Sequence, residues 1–396
     1  MRHVDQFFRK SCYSNIRILL SACGIWPFQA LSKRYAMYVG FTLLFGFGIS
    51  FTILCTIRVW PDFFEVFDCA SMLFYAISST IKLIYTVYNL PKIKMLLMNM
   101  QEHWCSPKSD QEAKILRSYV LFARKFGYIY SGIILGHAIV FALTPLTIKF
   151  SYNKENISNK TQDSQESSRH INYMLDLQIQ HMPLLIQGAL CEFYYTLVLT
   201  SINVLYLVCV QHCCGLFEAL KYHLESAFNF ENNDNDITSI ENKYHSNIVY
   251  GVRRHAEAIQ FATSVESLYR LPFFLHMTVN VSLLSIVGFQ VVTNTENISR
   301  LMPYGTYLSG LVLNTFFENW QGQKIIDCNE RVYESAYNLE WYKMPIISQK
   351  LLIMIMIRSR KPLTITAGKV LVLSYVTFNA AMRTGFSYLM ILRSMQ

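Results

Sequence analysis

Long stretches of apolar residues without charge recur along this chain of 396 residues. Three of them, residues 35–57, 126–148 and 271–292, contain no Asp, Glu, Lys or Arg. Each is long enough to cross a bilayer as a helix, since the hydrocarbon core takes about 20 mostly apolar residues. Only 15% of all residues are charged, whereas soluble domains carry about 25%. The sequence therefore excludes an ordinary soluble enzyme and predicts a helical membrane protein.

Four further stretches complete a set of seven predicted transmembrane helices. Each contains at most one charged residue, and they comprise residues 69–90, 186–210, 301–317 and 370–392. Residues 1–34 are basic with only short apolar stretches, so we expect the first transmembrane helix to act as its own insertion signal. The predicted fold class is an all-α membrane protein with seven transmembrane helices and a cytosolic helical anchor region.

The distribution of Lys and Arg predicts the orientation of the chain, because cytosolic loops carry an excess of these residues. The N-terminal segment holds six, the second loop seven and the sixth loop eight, whereas the first and fifth loops hold one each. The glycosylation sequons at Asn156, Asn159 and Asn297 fall in the third and fifth loops, and glycans are added on the extracellular side. Both signals predict a cytosolic N-terminus and an extracellular C-terminus.

Several function classes are opposed by the sequence. A G-protein-coupled receptor has an extracellular N-terminus, and a transporter is expected to show inverted repeats, which we do not find. The chain has no nucleophile motif, phosphate-binding loop or paired carboxylates, so we expect no enzyme activity, no cofactor and no nucleic-acid partner. A cluster of cysteines with His212 lacks a second ligand pair at zinc-finger spacing. For this cluster, which comprises Cys209, His212, Cys213 and Cys214, we favour packing over palmitoylation or metal binding.

Two segments between predicted transmembrane helices are patterned as cytosolic helices. In residues 211–265, leucines recur every fourth residue after the fourth transmembrane helix, which predicts either a helical hairpin packed on itself or an oligomerisation module. Residues 323–369 contain seven consecutive apolar residues, 351–357, too few to span a membrane. A helix that is apolar all round must be buried, and a position between subunits would bury it.

The predicted organisation has six parts. They are a cytosolic N-terminal segment, the first four transmembrane helices, a cytosolic helical loop, the fifth and sixth helices, a cytosolic anchor helix and the seventh helix. Their ranges are residues 1–34, 35–210, 211–265, 266–322, 323–369 and 370–396.

Short motifs in several parts of the chain are specific enough to compare with known families. The longest is Lys-Pro-Leu-Thr-Ile-Thr-Ala-Gly-Lys at residues 361–369, followed by Phe378 and Ser387-Tyr388. Others are Gly24-Ile25-Trp26-Pro27, Arg254-His255, Gly322-Gln323, Asp327, Ala336-Tyr337 and Trp341-Tyr342. In order and spacing these motifs resemble the insect odorant receptor family, in the style of its hymenopteran branch. The long fourth-loop insertion of the universal co-receptor is absent, so the chain resembles a ligand-tuning subunit.

The resemblance implies a function and an assembly. Members of that family are non-selective cation channels opened by small volatile odorants, and a tuning subunit forms a heterotetramer with a co-receptor in the plasma membrane of olfactory neuron dendrites. The cytosolic anchor is expected to hold the tetramer. The seventh helix is expected to line a central pore, with Ile391, Ser394 and Met395 as pore and gate residues. A gustatory-type receptor channel is the alternative, and a G-protein-coupled receptor is a more distant one.

An odorant pocket is expected in the outer half of the bundle, among the second, third, fourth and sixth transmembrane helices. A small apolar ligand needs aromatic and aliphatic walls with few polar groups. The candidate binding residues are Ser71, Phe74, Tyr75, His137, Phe141, Gln187, Cys191, Tyr304 and Tyr307. For each of them, packing within the bundle is the alternative. We expect Arg383 to pack against a neighbouring helix, with Glu192 or backbone carbonyls as its partner, and Lys82 is a second candidate partner of Glu192.

Overall fold

The computed structural model describes residues 2–10, 13–60, 63–105, 109–158, 182–226, 237–295 and 298–394. These residues form eleven α-helices, a short 3-10 helix and one hairpin. The helices, α1 to α11 in chain order, are Arg2–Lys10, Ser14–Ala22, Leu31–Val59, Phe63–Tyr88, Leu90–Cys105, Asp110–Ser158, Met182–Ser226, Ile237–Thr293, Ile298–Asn338, Ile346–Arg360 and Tyr375–Ser394. The 3-10 helix is Trp341–Lys343, and strands β1 and β2 are Thr366–Ala367 and Leu371–Val372.

Five helices in the described part of the chain have the length and apolar composition of a membrane crossing. The qualifying segments are Leu31–Val59, Cys69–Tyr88, Asp110–Leu143, Pro183–Ser226 and Tyr244–Thr293. Each overlaps one of the first five predicted transmembrane helices, and all but the second begin before the predicted segment does. The sixth and seventh fall in α9 and α11, whose described residues are less apolar. The total of seven crossings and the orientation therefore stay predictions.

Helix α7 lies at the centre of the bundle. Every residue from 195 to 217 is buried, and α6, α8 and α9 pack around it. Polar side chains of a helix surrounded by protein are usually hydrogen-bonded to other parts of the protein, and two amide side chains of α7 bond across to neighbouring helices. Asn203 Nδ2 donates to the hydroxyl of Tyr130 at 2.9 Å, and Gln211 Nε2 donates to Gln321 Oε1 at 3.0 Å. The central helix thereby fixes the positions of its neighbours.

The helical hairpin predicted after the fourth transmembrane helix packs on itself. Helices α7 and α8 continue without interruption beyond the predicted transmembrane segments. The side chain of Leu224 is buried and lies 3.3 Å from the position that a Cβ would take at Gly251. The two helices therefore approach each other closely at Gly251.

Helix α10 contains the apolar run at residues 351–357, which we expected to be buried on all sides between subunits. That expectation is corrected in part, because the chain itself buries one face, including Leu352 and Ile355. Met354 and Ile357 on the other face are 59% and 68% exposed. Only this second face remains available to another subunit.

The hairpin between α10 and α11 determines where the last helix begins. Strands β1 and β2 pair in antiparallel register through a turn at Gly368 and Lys369, which both have positive φ. Because β2 takes up residues 371–372, the seventh predicted helix starts at Tyr375 rather than at residue 370. A Cβ at Gly368 would lie 2.7 Å from the ring of Phe274, so both backbone conformation and space require glycine there.

Helix α11 packs on α8 through a single narrow stripe. Its buried residues are Ala381, Gly385 and Leu389, which recur every fourth position. A Cβ at Gly385 would lie 3.0 Å from the Cβ of Leu284, and Ser285 Oγ donates to the carbonyl of Gly385 at 3.1 Å. Most of the remaining surface of α11 is exposed in the single chain.

Candidate functional site

Five helices, α4, α6, α7, α8 and α9, enclose a cavity of about 740 Å³, counted with the open space at its mouth. Its apolar and aromatic wall is formed by Met72, Tyr75, Ile134, Ala138, Phe141, Leu199, Tyr307, Gly310 and Leu311. Its polar side chains are Tyr130, His137, Glu192, Thr196, His276, Asn280, Thr306 and Asn314. A cavity that combines an apolar and aromatic wall with convergent polar groups is typical of small-molecule sites.

Four candidate binding residues meet in this cavity: Tyr75, His137, Phe141 and Tyr307. The rings of Tyr75 and Tyr307 are nearly perpendicular, with centroids 5.9 Å apart. The ring of Phe141 lies 6.1 Å from that of Tyr307. The hydroxyl of Tyr75 hydrogen bonds with Thr196 Oγ1 at 2.9 Å. These edge contacts between aromatic rings set the shape of the wall.

Two further candidates, Gln187 and Cys191, line a second cavity of about 650 Å³, measured in the same way. Gln187 Nε2 donates to Cys191 Sγ at 3.2 Å. The walls of the two cavities share Met72, Phe141 and Glu192, so the cavities adjoin at these side chains.

The other three candidates lie outside both walls. Phe74 is 40% exposed on the outer surface, since consecutive helical residues point about 100° apart and Tyr75 faces inward. Ser71 lies behind the wall, where its carbonyl accepts a hydrogen bond from the hydroxyl of Tyr307 at 3.4 Å. Tyr304 packs against the apolar cluster that includes Leu311.

A network of polar side chains, which was not predicted from the sequence, forms one side of the cavity. The hydroxyl of Tyr130 donates to Asn314 Oδ1 at 2.7 Å. Asn314 Nδ2 lies 3.3 Å from His276 Nε2, and Asn280 Nδ2 donates to Thr315 Oγ1 at 3.1 Å. Polar residues within predicted transmembrane segments usually mark a functional site, and that signal was available at His276, Asn280 and Asn314.

The network continues into a buried ion pair that corrects the expected partner of Lys82. Lys82 Nζ lies 3.0 Å from Glu318 Oε1, and His276 Nδ1 lies 3.0 Å from Glu318 Oε2. Lys82 and Glu318 are both almost completely buried. Among the residues that the structure describes, Glu192 accepts a hydrogen bond from Thr196 Oγ1 alone, at 3.4 Å, and Arg383 is exposed on α11. Neither expected pairing of Glu192 is present in the described residues.

Helix α9 links the cavity to the start of α11. Thr306, Tyr307, Gly310, Leu311 and Asn314 of α9 line the cavity. Further along the same helix, Asn319 Oδ1 accepts a hydrogen bond from the backbone N–H of Ser374 at 3.2 Å. The hydroxyl of Ser374 in turn accepts from the backbone N–H of Thr377, at 3.4 Å, in the first turn of α11. A Cβ at Gly322 would collide with the backbone of Leu373, so the contact between α9 and the beginning of α11 is direct.

Of the expected pore residues, Ile391 is 51% exposed and the hydroxyl of Ser394 donates to the carbonyl of Ile391 at 2.8 Å. Met395 lies outside the described residues, as do the sequon residues Asn159 and Asn297. The backbone of Asn156 lies in the last turns of α6.

The cluster around His212 is packed inside the protein. Cys209, Cys213 and Cys214 are buried, and the ring of His212 stacks on that of His103 with centroids 5.4 Å apart. Burial lowers the pKa of His103, which lies on α5. Among the described residues, no group of three or more His, Cys, Asp or Glu side chains is placed to hold a metal ion.

Comparison with known proteins identifies the family. The family model described as 7tm Odorant receptor matches residues 62–386. The chain belongs to the odorant receptor family. Odorant receptor 49a of Drosophila melanogaster is 20% identical over 337 residues, covering 81% of this chain and 78% of the relative. The odorant receptor coreceptor of Ooceraea biroi is 23% identical over 37% of this chain and 31% of its own length.

Other curated odorant receptors match over shorter stretches. The chain spans 35%, 47% and 45% of the length of the Drosophila relatives putative odorant receptor 85d, putative odorant receptor 92a and odorant receptor 67c. The structure of the insect olfactory receptor OR5 from Machilis hrabei in complex with eugenol aligns with a TM-score of 0.74 at 12% identity, covering 100% of this chain and 99% of that one. The odorant receptor therefore has the fold of a solved insect olfactory receptor.

Proposed function

We propose that this odorant receptor is the ligand-binding subunit of a ligand-gated, non-selective cation channel. The subunit spans the plasma membrane seven times with its N-terminus in the cytosol. It assembles with a co-receptor into a heterotetramer and opens when a small volatile ligand enters the cavity between α4, α6, α7, α8 and α9. Its similarity to an odorant receptor coreceptor supports a channel-forming partner of the same family.

The observation that carries this proposal is the double role of α9. One part of the helix lines the cavity, and Asn319 and Gly322 on the same helix contact the chain where α11 begins. A ligand shifts an equilibrium only if it interacts differently with the two states. If α9 is displaced in the open state, a ligand that contacts Tyr307 interacts differently with the open and closed states. Displacement of α9 would also move the start of α11.

The exposed surface of α11 supports its role as the pore helix. In the described part of α11, the fully buried residues form one stripe, Tyr375 and Phe378 contact Phe316 of α9, and most other residues are exposed. An exposed helix face in a single subunit is available to other subunits or to a pore. Ile391 lies on that exposed part. A ring of apolar side chains from several subunits closes a narrow pore by excluding water, without a separate plug.

Current recording tests the proposal. Cells that express this chain with a co-receptor should give cation currents when volatile ligands are applied, and cells that express either chain alone serve as controls. Ligand-evoked currents that need both chains are the expected result. Ligand responses carried only by a G-protein pathway, with no current in excised membrane patches, would overturn the proposal.

A further inference from the structure

Glu192 occupies the junction of the two cavities, and no basic side chain of the described residues pairs with it. It lines both walls and is half-buried. Its one hydrogen bond in the described part of the chain comes from Thr196, at 3.4 Å. Lys82, which was predicted as a partner of Glu192, forms an ion pair with Glu318 instead. A carboxylate within a bundle is costly unless it is paired.

Aromatic rings surround the same junction. The rings of Tyr75 and Tyr195 are nearly perpendicular, with centroids 6.3 Å apart, and Tyr307 and Phe141 continue the wall. The hydroxyls of Tyr75 and Tyr307 are bound to Thr196 and to a backbone carbonyl. The hydroxyls of these two rings are therefore hydrogen-bonded within the protein, and the rings themselves line the cavity. Ring faces attract cations.

The hydroxyl of Tyr195 gives independent evidence for a polar ligand. Tyr195 lines the second cavity and is 5% exposed. Within the described residues its hydroxyl oxygen has no hydrogen-bond partner. It lies beside Gly48, at 3.5 Å from the position of an added Cβ, so the hydroxyl is buried next to a position that carries no side chain. A buried hydroxyl without a partner is unfavourable, and a ligand N–H would satisfy it.

The remaining polar side chains of the cavity are already engaged. His276, Asn280 and Asn314 bond to one another or to Glu318 and Thr315. His137 bonds with Ser309 and with the carbonyl of Ile133. A polar ligand group is therefore drawn to the junction, while its hydrocarbon part is accommodated by the apolar wall.

We propose that this junction binds a protonated primary amine on a small aliphatic or benzylic skeleton, with Glu192 as the counter-ion and the rings of Tyr75 and Tyr307 against the ammonium group. The inference rests on the proposed ligand-binding function and specifies the class of ligand. An alkylammonium ion has a pKa of about 10.4, so such an amine is charged at neutral pH. The ion pair and the ring faces offset the loss of hydration that the ammonium group suffers on entry.

The test compares ligands of matched shape: benzylamine, benzyl alcohol and toluene. Currents are recorded from cells that express the chain with a co-receptor. Benzylamine should activate at a concentration about tenfold lower than benzyl alcohol, as one desolvated cation–π contact and one ion pair predict. Glu192→Gln keeps the shape of the side chain and should abolish this preference, with the response to benzyl alcohol kept within about threefold. Thr196→Val keeps the carboxylate and should retain the preference, and Tyr195→Phe should weaken it.

Binding is also measured without channel opening. Thermal stabilisation of the purified chain by benzylamine and by benzyl alcohol should show the same order of affinity and the same loss in Glu192→Gln. A chain that binds benzylamine preferentially but gives no current would leave this inference intact and overturn the channel proposal. Equal stabilisation by the amine and the alcohol would refute the inference, as would an amine preference that persists in Glu192→Gln. An equal loss of affinity for all three ligands in Glu192→Gln would also refute the inference, because Glu192 would then have a purely structural role.

Discussion

Replacement of Glu318 by Gln should destabilise this odorant receptor more than replacement of its partner Lys82. Both side chains are almost completely buried, and Lys82 Nζ lies 3.0 Å from Glu318 Oε1. Removal of one member of a buried ion pair costs about 3–5 kcal/mol, because the other charge is left uncompensated. In Glu318→Gln the ammonium group of Lys82 keeps a neutral amide acceptor and the ring of Phe273, 5.7 Å from its centroid, but it loses its counter-charge, so we expect a cost near the upper end.

Lys82→Met should cost less, because the carboxylate of Glu318 keeps its contact with His276 Nδ1 at 3.0 Å. A hydrogen bond to a charged group contributes about 1.5–3 kcal/mol, which places this variant near the lower end of the range. The double variant Lys82→Met/Glu318→Gln leaves no unpaired charge, and the amide oxygen that it introduces on α9 can still accept from His276. It should recover most of the stability, because the replacement of both partners is often nearly neutral.

The measurement is the thermal unfolding of the four proteins, purified in the same detergent. The expected order of stability is wild type and the double variant, then Lys82→Met, then Glu318→Gln. The double-mutant cycle isolates the interaction energy of the pair. A double variant as unstable as Glu318→Gln would refute the reasoning, as would a Glu318→Gln protein that unfolds at the wild-type temperature.

The remaining predictions concern ligand response, packing, assembly and gating. Tyr307→Ala removes part of the cavity wall and should cost about 1–2 kcal/mol of ligand binding, seen as a roughly five- to thirty-fold higher effective concentration with ion selectivity unchanged. Gly385→Val should separate α11 from α8 and impair activation, whereas Gly136→Val, with open space at its Cβ, should respond normally. Ile357→Asp alters the exposed face of α10 and should abolish assembly in native gels while surface delivery persists. Ile391→Ser should raise leak current without reordering the ligands, and a changed ligand ranking would contradict the separation of pore and pocket.

Local composition was sufficient to predict the first five apolar helices, because the need to bury about 20 apolar residues in a bilayer acts on each stretch alone. It was also sufficient to predict that α7 and α8 continue as helices beyond the predicted transmembrane segments, since leucines at a helical period continue without a break. The boundary of the last helix was predicted less well. There, the hairpin of β1 and β2 requires an antiparallel pairing that the apolar pattern of residues 370–374 did not reveal.

Several of the motifs on which the family resemblance rests contain residues that make close contacts between distant parts of the chain. Gly322 leaves room for the backbone of Leu373, and Gly368 adopts a positive φ against the ring of Phe274. The indole of Trp26 donates to Asp5 at 2.9 Å. Burial raises the pKa of Asp5, but hydrogen bonds from Arg17 and Trp26 more than reverse this and hold it below its usual value. Such motifs are typical of a family because the close contacts that their residues make require particular residue types. The partners in these contacts lie far away in the sequence.

The sequence by itself determined the class of the protein: an all-helical, membrane-type chain, aromatic-rich, with motifs of odorant receptors. These properties follow from the composition and the helical period of short segments. Only the tertiary structure decided which candidate side chains share a cavity. Tyr75 and Phe74 are adjacent aromatic residues, and the sequence pattern did not distinguish which of them faces the cavity. The orientation of α4 places Tyr75 against Tyr307 and leaves Phe74 exposed. The partner of Lys82 was likewise decided by the packing of α4 against α8 and α9, because an ion pair depends on distances between helices that no local pattern contains.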